Sequence, residues 1–95
     1  MSKLAVYRYD VEIDDRIIIE MPQKANIIHV AASDRKSGGL TLWATADLDG
    51  PTVDHIVYVR GTGHPLGDAG FARHIGTVQS GPFWWHLFDG REAGQ

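Results

Sequence analysis

The alternation of apolar and polar residues is clearest over residues 40–48. Leu40, Leu42, Ala44, Ala46 and Leu48 share one face of an extended chain, and Thr41, Trp43, Thr45 and Asp47 share the other. A period of two is that of a strand with one face buried. Ile17-Ile18-Ile19 predicts another strand over 16–21, because β-branched side chains are stiff at χ1 and suit a pleated surface better than a helix. Pro22 ends it. Runs rich in β-branched and aromatic residues predict strands over 4–10, 26–32 and 55–60. Two more, over 71–79 and 83–88, read as a hairpin around Ser80-Gly81-Pro82. The intervals carry turn chemistry: Asp14-Asp15, the polar run 33–39, and Asp49-Gly50-Pro51.

About seven short strands closely spaced along the chain are the pattern of an all-β fold, a small antiparallel sandwich or barrel. Residues 65–72 leave room for a single helical turn, and no amphipathic helix is visible. The expectation is one β-rich domain over residues 1–90, with 91–95 a frayed tail.

Composition narrows the setting. At 95 residues the chain has room for one core. A domain this short buries only about 60–65% of its unfolded surface, which makes subunit association valuable. It contains no cysteine, which removes disulfides, thiolate nucleophiles, iron–sulfur clusters and cysteine-based zinc sites together. A small secreted domain would ordinarily need disulfide staples, so the expected location is the cytoplasm. The opening residues lack the apolar core of a signal peptide, and no apolar run approaches the roughly 20 residues that span a bilayer. The net charge of −3 argues against general nucleic-acid binding. The charge is uneven, however. Between His55 and Gln79 the only acid is Asp68, set against Arg60, Arg73 and the histidines His55, His64 and His74. A local site for a small anion is compatible with that segment.

The most distinctive stretch is Arg60-Gly61-Thr62-Gly63-His64-Pro65-Leu66-Gly67-Asp68. Two glycines flanking a threonine allow backbone N–H groups to converge into an anion-binding nest, to which Arg60 and His64 would add charge. The plainer reading is a turn whose exit Pro65 fixes. Neither the Walker loop nor the dinucleotide fingerprint is matched. The five histidines show no pair at strand or helix spacing for a shared metal, and a satisfied, half-buried imidazole is the ordinary state for each. His74 and His86 lie on the two arms of the predicted hairpin, where they can approach. Thr62 near His64 is the one local nucleophile–base candidate, and an i, i+2 relation in a turn is weak support for catalysis. No catalytic set, metal site or cofactor motif is assigned.

Trp84 and Trp85 are adjacent, so on a strand they point to opposite faces. One of them must therefore line a second layer, a pocket or an interface. Trp43 lies on the polar side of its strand. A homo-oligomer would relieve the small core, the opposed tryptophans and the unpaired sheet edges together.

These segments resemble a family of small bacteriophage and prophage proteins, a domain of unknown function. The likeness rests on the GTGHP loop (61–65), on Ile75-Gly76-Thr77, and on the WHxF segment Trp85-His86-Leu87-Phe88, and it extends over nearly the whole chain. It implies a viral origin and no activity. A small cytoplasmic phage protein is expected to bind something, and counter-defence is one such task. The partner would be a phosphorylated or nucleotide-like signal, or a host immune protein capped by direct contact. The residues expected to hold the nucleotide-like ligand are Arg60, Gly61, Thr62, Gly63, His64, Arg73, His74, Trp43 and Trp85. A histidine-dependent hydrolase is the remaining alternative.

Overall fold

The alternation over residues 40–46 is kept in three dimensions. Leu40, Leu42 and Ala44 have no exposed surface and Ala46 almost none, while Trp43 and Thr45 lie half-buried on the opposite face. Leu48 leaves the pattern. It falls beyond the end of its strand, in the turn before Gly50, and is 52% exposed. The computed structural model describes residues 4–35 and 37–92. In chain order its elements are β1 (Leu4–Glu12), β2 (Arg16–Pro22), β3 (Asn26–Ala32), β4 (Gly39–Asp47), β5 (Thr52–Gly61), a 3₁₀ turn (Gly67–Phe71), β6 (Arg73–Ser80) and β7 (Phe83–Glu92).

The strands form two antiparallel sheets in a β-sandwich, ordered β1-β4-β3 and β2-β5-β7-β6. The all-β expectation holds, as a sandwich rather than a closed barrel. The chain changes sheet between β1 and β2, between β2 and β3, and between β4 and β5, so the layers are interlocked by their connections. Where β1 hands over to β2, the Val59 N–H donates to the Asp15 carbonyl at 3.0 Å, tying that loop to β5.

Ile27, Val30, Leu40, Leu42 and Ala44 of the smaller sheet pack against Ile17, Ile19, Met21, Val57, Val59, Val78 and Leu87 of the larger one. Each such side chain, once buried, contributes about 1.5–3 kcal/mol of transfer free energy. Within the isoleucine run the two faces separate as strand geometry demands: Ile17 and Ile19 are buried and Ile18 is exposed. β3 and β6 meet along one side of the sandwich, where Val30 lies against Gly76.

The outer face of the smaller sheet carries a polar network. Arg8 donates to Asp10 and Asp34, and the wholly buried Thr41 hydroxyl donates to Asp10 at 2.6 Å. The Arg8 and Thr41 hydrogen bonds hold the Asp10 carboxyl down at about 2.

Several strand boundaries differ from the sequence expectation, among them those of the last hairpin and the start of β5. Phe71 belongs to the 3₁₀ turn and is 99% exposed, so β6 begins only at Arg73. β7 continues through Arg91 and Glu92, and the rest of the tail expected to fray, 93–95, lies outside the described residues. Among the described residues no helix is long and apolar enough to cross a membrane.

Candidate ligand-binding cleft

Strand β5 ends at Gly61, which is paired with Trp85 of β7. The chain then turns at once. The His64 N–H donates to the Gly61 carbonyl at 3.1 Å, and Gly63 has φ +87°, the conformation required at the third position of a type II turn. A side chain there would be strained in any rotamer, which is why this position suits glycine. The His64 ring lies over Gly61, since a Cβ placed on Gly61 would sit 3.0 Å from it. Because the His64 N–H is used inside the turn, that amide is committed to the backbone rather than to an anion.

Two side chains, Arg60 and Thr62, anchor the loop. Arg60 donates through Nη1 to the carbonyls of Asp15 (2.7 Å) and Val59 (2.9 Å), and through Nε to the Leu66 carbonyl (3.0 Å). The guanidinium thus fastens both ends of the loop, and its hydrogen-bonding capacity is largely spent there. Thr62 Oγ1 is 2.8 Å from His86 Nε2, and His86 Nδ1 is 3.1 Å from Thr77 Oγ1, which in turn lies 3.1 Å from His74 Nε2. This Thr62–His86–Thr77–His74 chain crosses the outer face of the larger sheet, with donor and acceptor roles set by the imidazole tautomers. The expected approach of His74 and His86 occurs through a threonine bridge, with ring centroids 6.5 Å apart.

Between this loop and the β6–β7 hairpin lies a cleft of about 250 Å³ lined by Gly61, Thr62, His64, Pro82, Phe83, Trp84 and Trp85. The adjacent tryptophans divide as strand geometry requires. Trp85 packs on the core, and Trp84 is 50% exposed. Phe83 lies 5.6 Å from Trp85, centroid to centroid. The Trp85 indole N–H is buried without an acceptor among the described residues, a state that costs roughly 1–3 kcal/mol. The His64 imidazole has no hydrogen-bond partner among them either.

The nine residues expected to share a site are therefore distributed. Gly61, Thr62, His64 and Trp85 line the cleft, with Gly63 in the turn above it; Arg60 braces the loop from behind, and His74 joins it through Thr77 and His86. Trp43 lies elsewhere, on the outer face of the smaller sheet, between His29 (5.3 Å) and the Arg8 guanidinium (5.6 Å). Arg73 is also elsewhere. Its partner in register is Asp89, four positions along β7 from Trp85, or on the order of 13 Å at strand rise.

At Arg73 the sequence reading missed a buried pair. His55 Nε2 lies 2.6 Å from Asp89 Oδ1, with both side chains almost wholly buried. The Arg91 N–H donates to the same oxygen at 2.8 Å and Arg73 Nη2 lies 3.3 Å from the other. Burial pushes the Asp89 carboxyl up, but the His55 and Arg91 hydrogen bonds and the neighbouring positive charge outweigh it, leaving the group lowered. The available signal was parity. His55 shares its face of β5 with Val57 and Val59, and Asp89 shares its face of β7 with Trp85 and Leu87, so both fall on core-facing positions. Phe83, Trp84, Thr77 and His86 were also missed as members of the cleft or its support.

Chemically, the cleft can stack a planar ring on exposed aromatics and offer a free imidazole. Thr62 and His86 stand within nucleophile–base distance, yet His86 is oriented by a hydroxyl rather than a carboxylate. Among the described residues no three or more histidine, aspartate and glutamate side chains are grouped to hold a metal ion.

The fold and cleft define a small β-sandwich with an aromatic surface site. The chain belongs to the family described as a domain of unknown function (DUF7352), whose sequence model matches residues 2–95. No curated protein and no solved structure matches it.

Proposed function

We propose that the protein is a non-enzymatic binding protein that takes the planar ring of a nucleotide-like ligand in the cleft between the GTGHP loop and the β6–β7 hairpin. The observation that carries this reading is the cleft itself. A loop braced by Arg60 and by the Thr62–His86 hydrogen bond faces the hairpin that carries Phe83 and Trp84, one on each face of β7, 59% and 50% exposed although they are costly to leave in water. Stacking a base on such a platform is worth roughly 1–3 kcal/mol per base. His64 supplies a polar group to fix its orientation.

The bacteriophage setting, the counter-defence role, the cytoplasmic location and a homo-oligomeric state belong to the same proposal. Their support is the sequence resemblance, the absence of cysteine, and the small core with open sheet edges. A second reading, in which the protein caps a host protein by direct contact, draws on one further observation. Phe71 is 99% exposed and adds to the apolar surface outside the cleft.

Native mass spectrometry with a panel of nucleotide signals, alongside tryptophan fluorescence titration, tests the proposal. A retained or acquired nucleotide mass, with quenching lost in Trp84→Ala, is the expected result. A bare protein that ignores the whole panel removes the nucleotide reading, and pulldown of a host protein dependent on Phe71 and Trp84 would then favour capping.

A further inference from the structure

We infer that the end of the sandwich beside the β2–β3 turn is a second binding site, independent of the aromatic cleft, for a small oxyanion: a phosphate or a carboxylate. A cavity of about 420 Å³ opens there, and Lys24, Asn26, His55, Arg73, Asp89 and Arg91 are among its lining. Three of these side chains are cationic and one is a carboxylate, in a chain whose net charge is −3. The carboxylate is already committed. Asp89 is engaged by His55 and the Arg91 N–H on one oxygen and by Arg73 on the other. Lys24 and Arg91 have no ion pair among the described residues, and Arg73 reaches Asp89 only at 3.3 Å while remaining half exposed. Three cations around one cavity with a single carboxylate leave an excess of positive charge, and an oxyanion between them offsets that excess and accepts their hydrogen bonds.

The backbone supplies an independent observation. Lys24 has φ +68° and Arg91 φ +64°, and these two are the only non-glycine residues in the left-handed region among those described. Glycine adopts this conformation without steric cost, whereas a side chain does not. At both positions where the chain would be more easily built with glycine, a cation stands instead, and both cations line the same cavity. Strain gathered at one place is a mark of a functional site. His55 adds a donor or acceptor: with Nε2 bonded to Asp89, its Nδ1 has no partner among the described residues.

The strain also provides variants that keep the fold. Lys24→Gly removes a charge while relieving the backbone, and Arg91→Gly does the same without removing the N–H that caps Asp89. Calorimetric titration and thermal melts with inorganic phosphate, with acetate, and with chloride at matched ionic strength form the test. The wild type is expected to show saturable binding and a Tm rise on the order of 5 °C with phosphate or acetate but not with chloride. Lys24→Gly and Arg73→Gln are each expected to weaken binding about tenfold, with the Lys24→Gly melting temperature in plain buffer equal to or above that of the wild type. Trp84→Ala is expected to bind the anion as the wild type does, which separates this site from the cleft. Binding of phosphate alone, or of acetate alone, identifies which oxyanion the site prefers. Failure of both anions to bind, an equal response to chloride, or undiminished binding by Lys24→Gly overturns the inference.

Discussion

The two ends of this sandwich handle left-handed backbone in opposite ways. Around the aromatic cleft the positive-φ positions are glycines: Gly63 and Gly67 in the loop, and Gly81 in the facing hairpin. Beside the β2–β3 turn they are Lys24 and Arg91. The cleft end is thus assembled from residues that make its turns easily, and its chemistry is carried by aromatic side chains on regular strand positions. The cationic end holds charged side chains where the backbone resists them, next to the buried, hydrogen-bonded His55 and Asp89. One end is built for shape and the other for charge, and substitutions should separate the two.

The largest difference is expected at Asp89. Removing it by Asp89→Ala leaves His55 buried without its partner and strips the Arg91 N–H of its acceptor, a loss of about 3–5 kcal/mol that urea unfolding would measure. Trp84→Ala at the other end is expected to change stability by about 0.5 kcal/mol or less. If the two variants proved equally stable, the buried pair would not be what holds the cationic end. Next in size is Gly90→Ala. Gly90 is the unpaired residue of a bulge where β7 shifts register against β5, and an added methyl would sit 2.7 Å from the Tyr58 ring and 3.1 Å from the Ile56 carbonyl. A cost of about 1–3 kcal/mol is expected, with anion binding weakened because the bulge sets where Arg91 emerges.

The same contrast explains what could be read from the chain. Seven strands were legible because each leaves a local trace: the 40–46 alternation, the isoleucine run, and glycine- or proline-marked turns between them. The cleft was half legible for the same reason, since Gly61, Thr62 and His64 are consecutive or nearly so, and the opposed Trp84 and Trp85 announced a second surface. Trp43 lies apart from them because its strand, β4, pairs with β1 and β3, which bring Arg8 and His29 beside it, and no local pattern records that pairing. The cationic end was not legible as a site. Lys24, His55, Arg73 and Arg91 come from four separate segments, and the predicted strand 83–88 stops short of Asp89 because the bulge that keeps Asp89 inward is not foreseen.

Acid titration gives a third, smaller contrast. Asp89 and Asp10 both have carboxyls lowered below the ordinary value of about 3.9. For a carboxyl lowered in the folded state, the stabilisation is fully present above the unfolded value and is lost as pH falls through the folded one. Stability should therefore be level above about pH 5 and decline on acidification. Asp10 sits on the exposed outer face, so added salt should weaken its share more than that of the enclosed Asp89. Unfolding followed from pH 6 to pH 2 in Asp10→Asn and Asp89→Asn would show this. The expected result is a shallower acid limb in both variants, with the salt dependence lost mainly in Asp10→Asn. An acid limb unchanged by either substitution would assign acid unfolding to other groups.

The smallest effect is also the most pointed. Gly63→Ala introduces a Cβ where nothing lies within 4 Å but φ is +87°, so its cost is conformational rather than steric. It should destabilise by about 1 kcal/mol. Lys24→Gly runs the opposite way. It gives up left-handed strain of about 1–2 kcal/mol against an unfolded-state entropy cost of roughly 0.5–1 kcal/mol, for a net change between zero and about 1.5 kcal/mol of added stability. Paired thermal melts of the two variants read the difference in sign, which is more secure than either magnitude. A destabilised Lys24→Gly would mean that the lysine side chain supports the fold itself. A stabilised one would leave its charge as the reason for holding a lysine where glycine fits, and would tie the strain at that end to what the cavity binds.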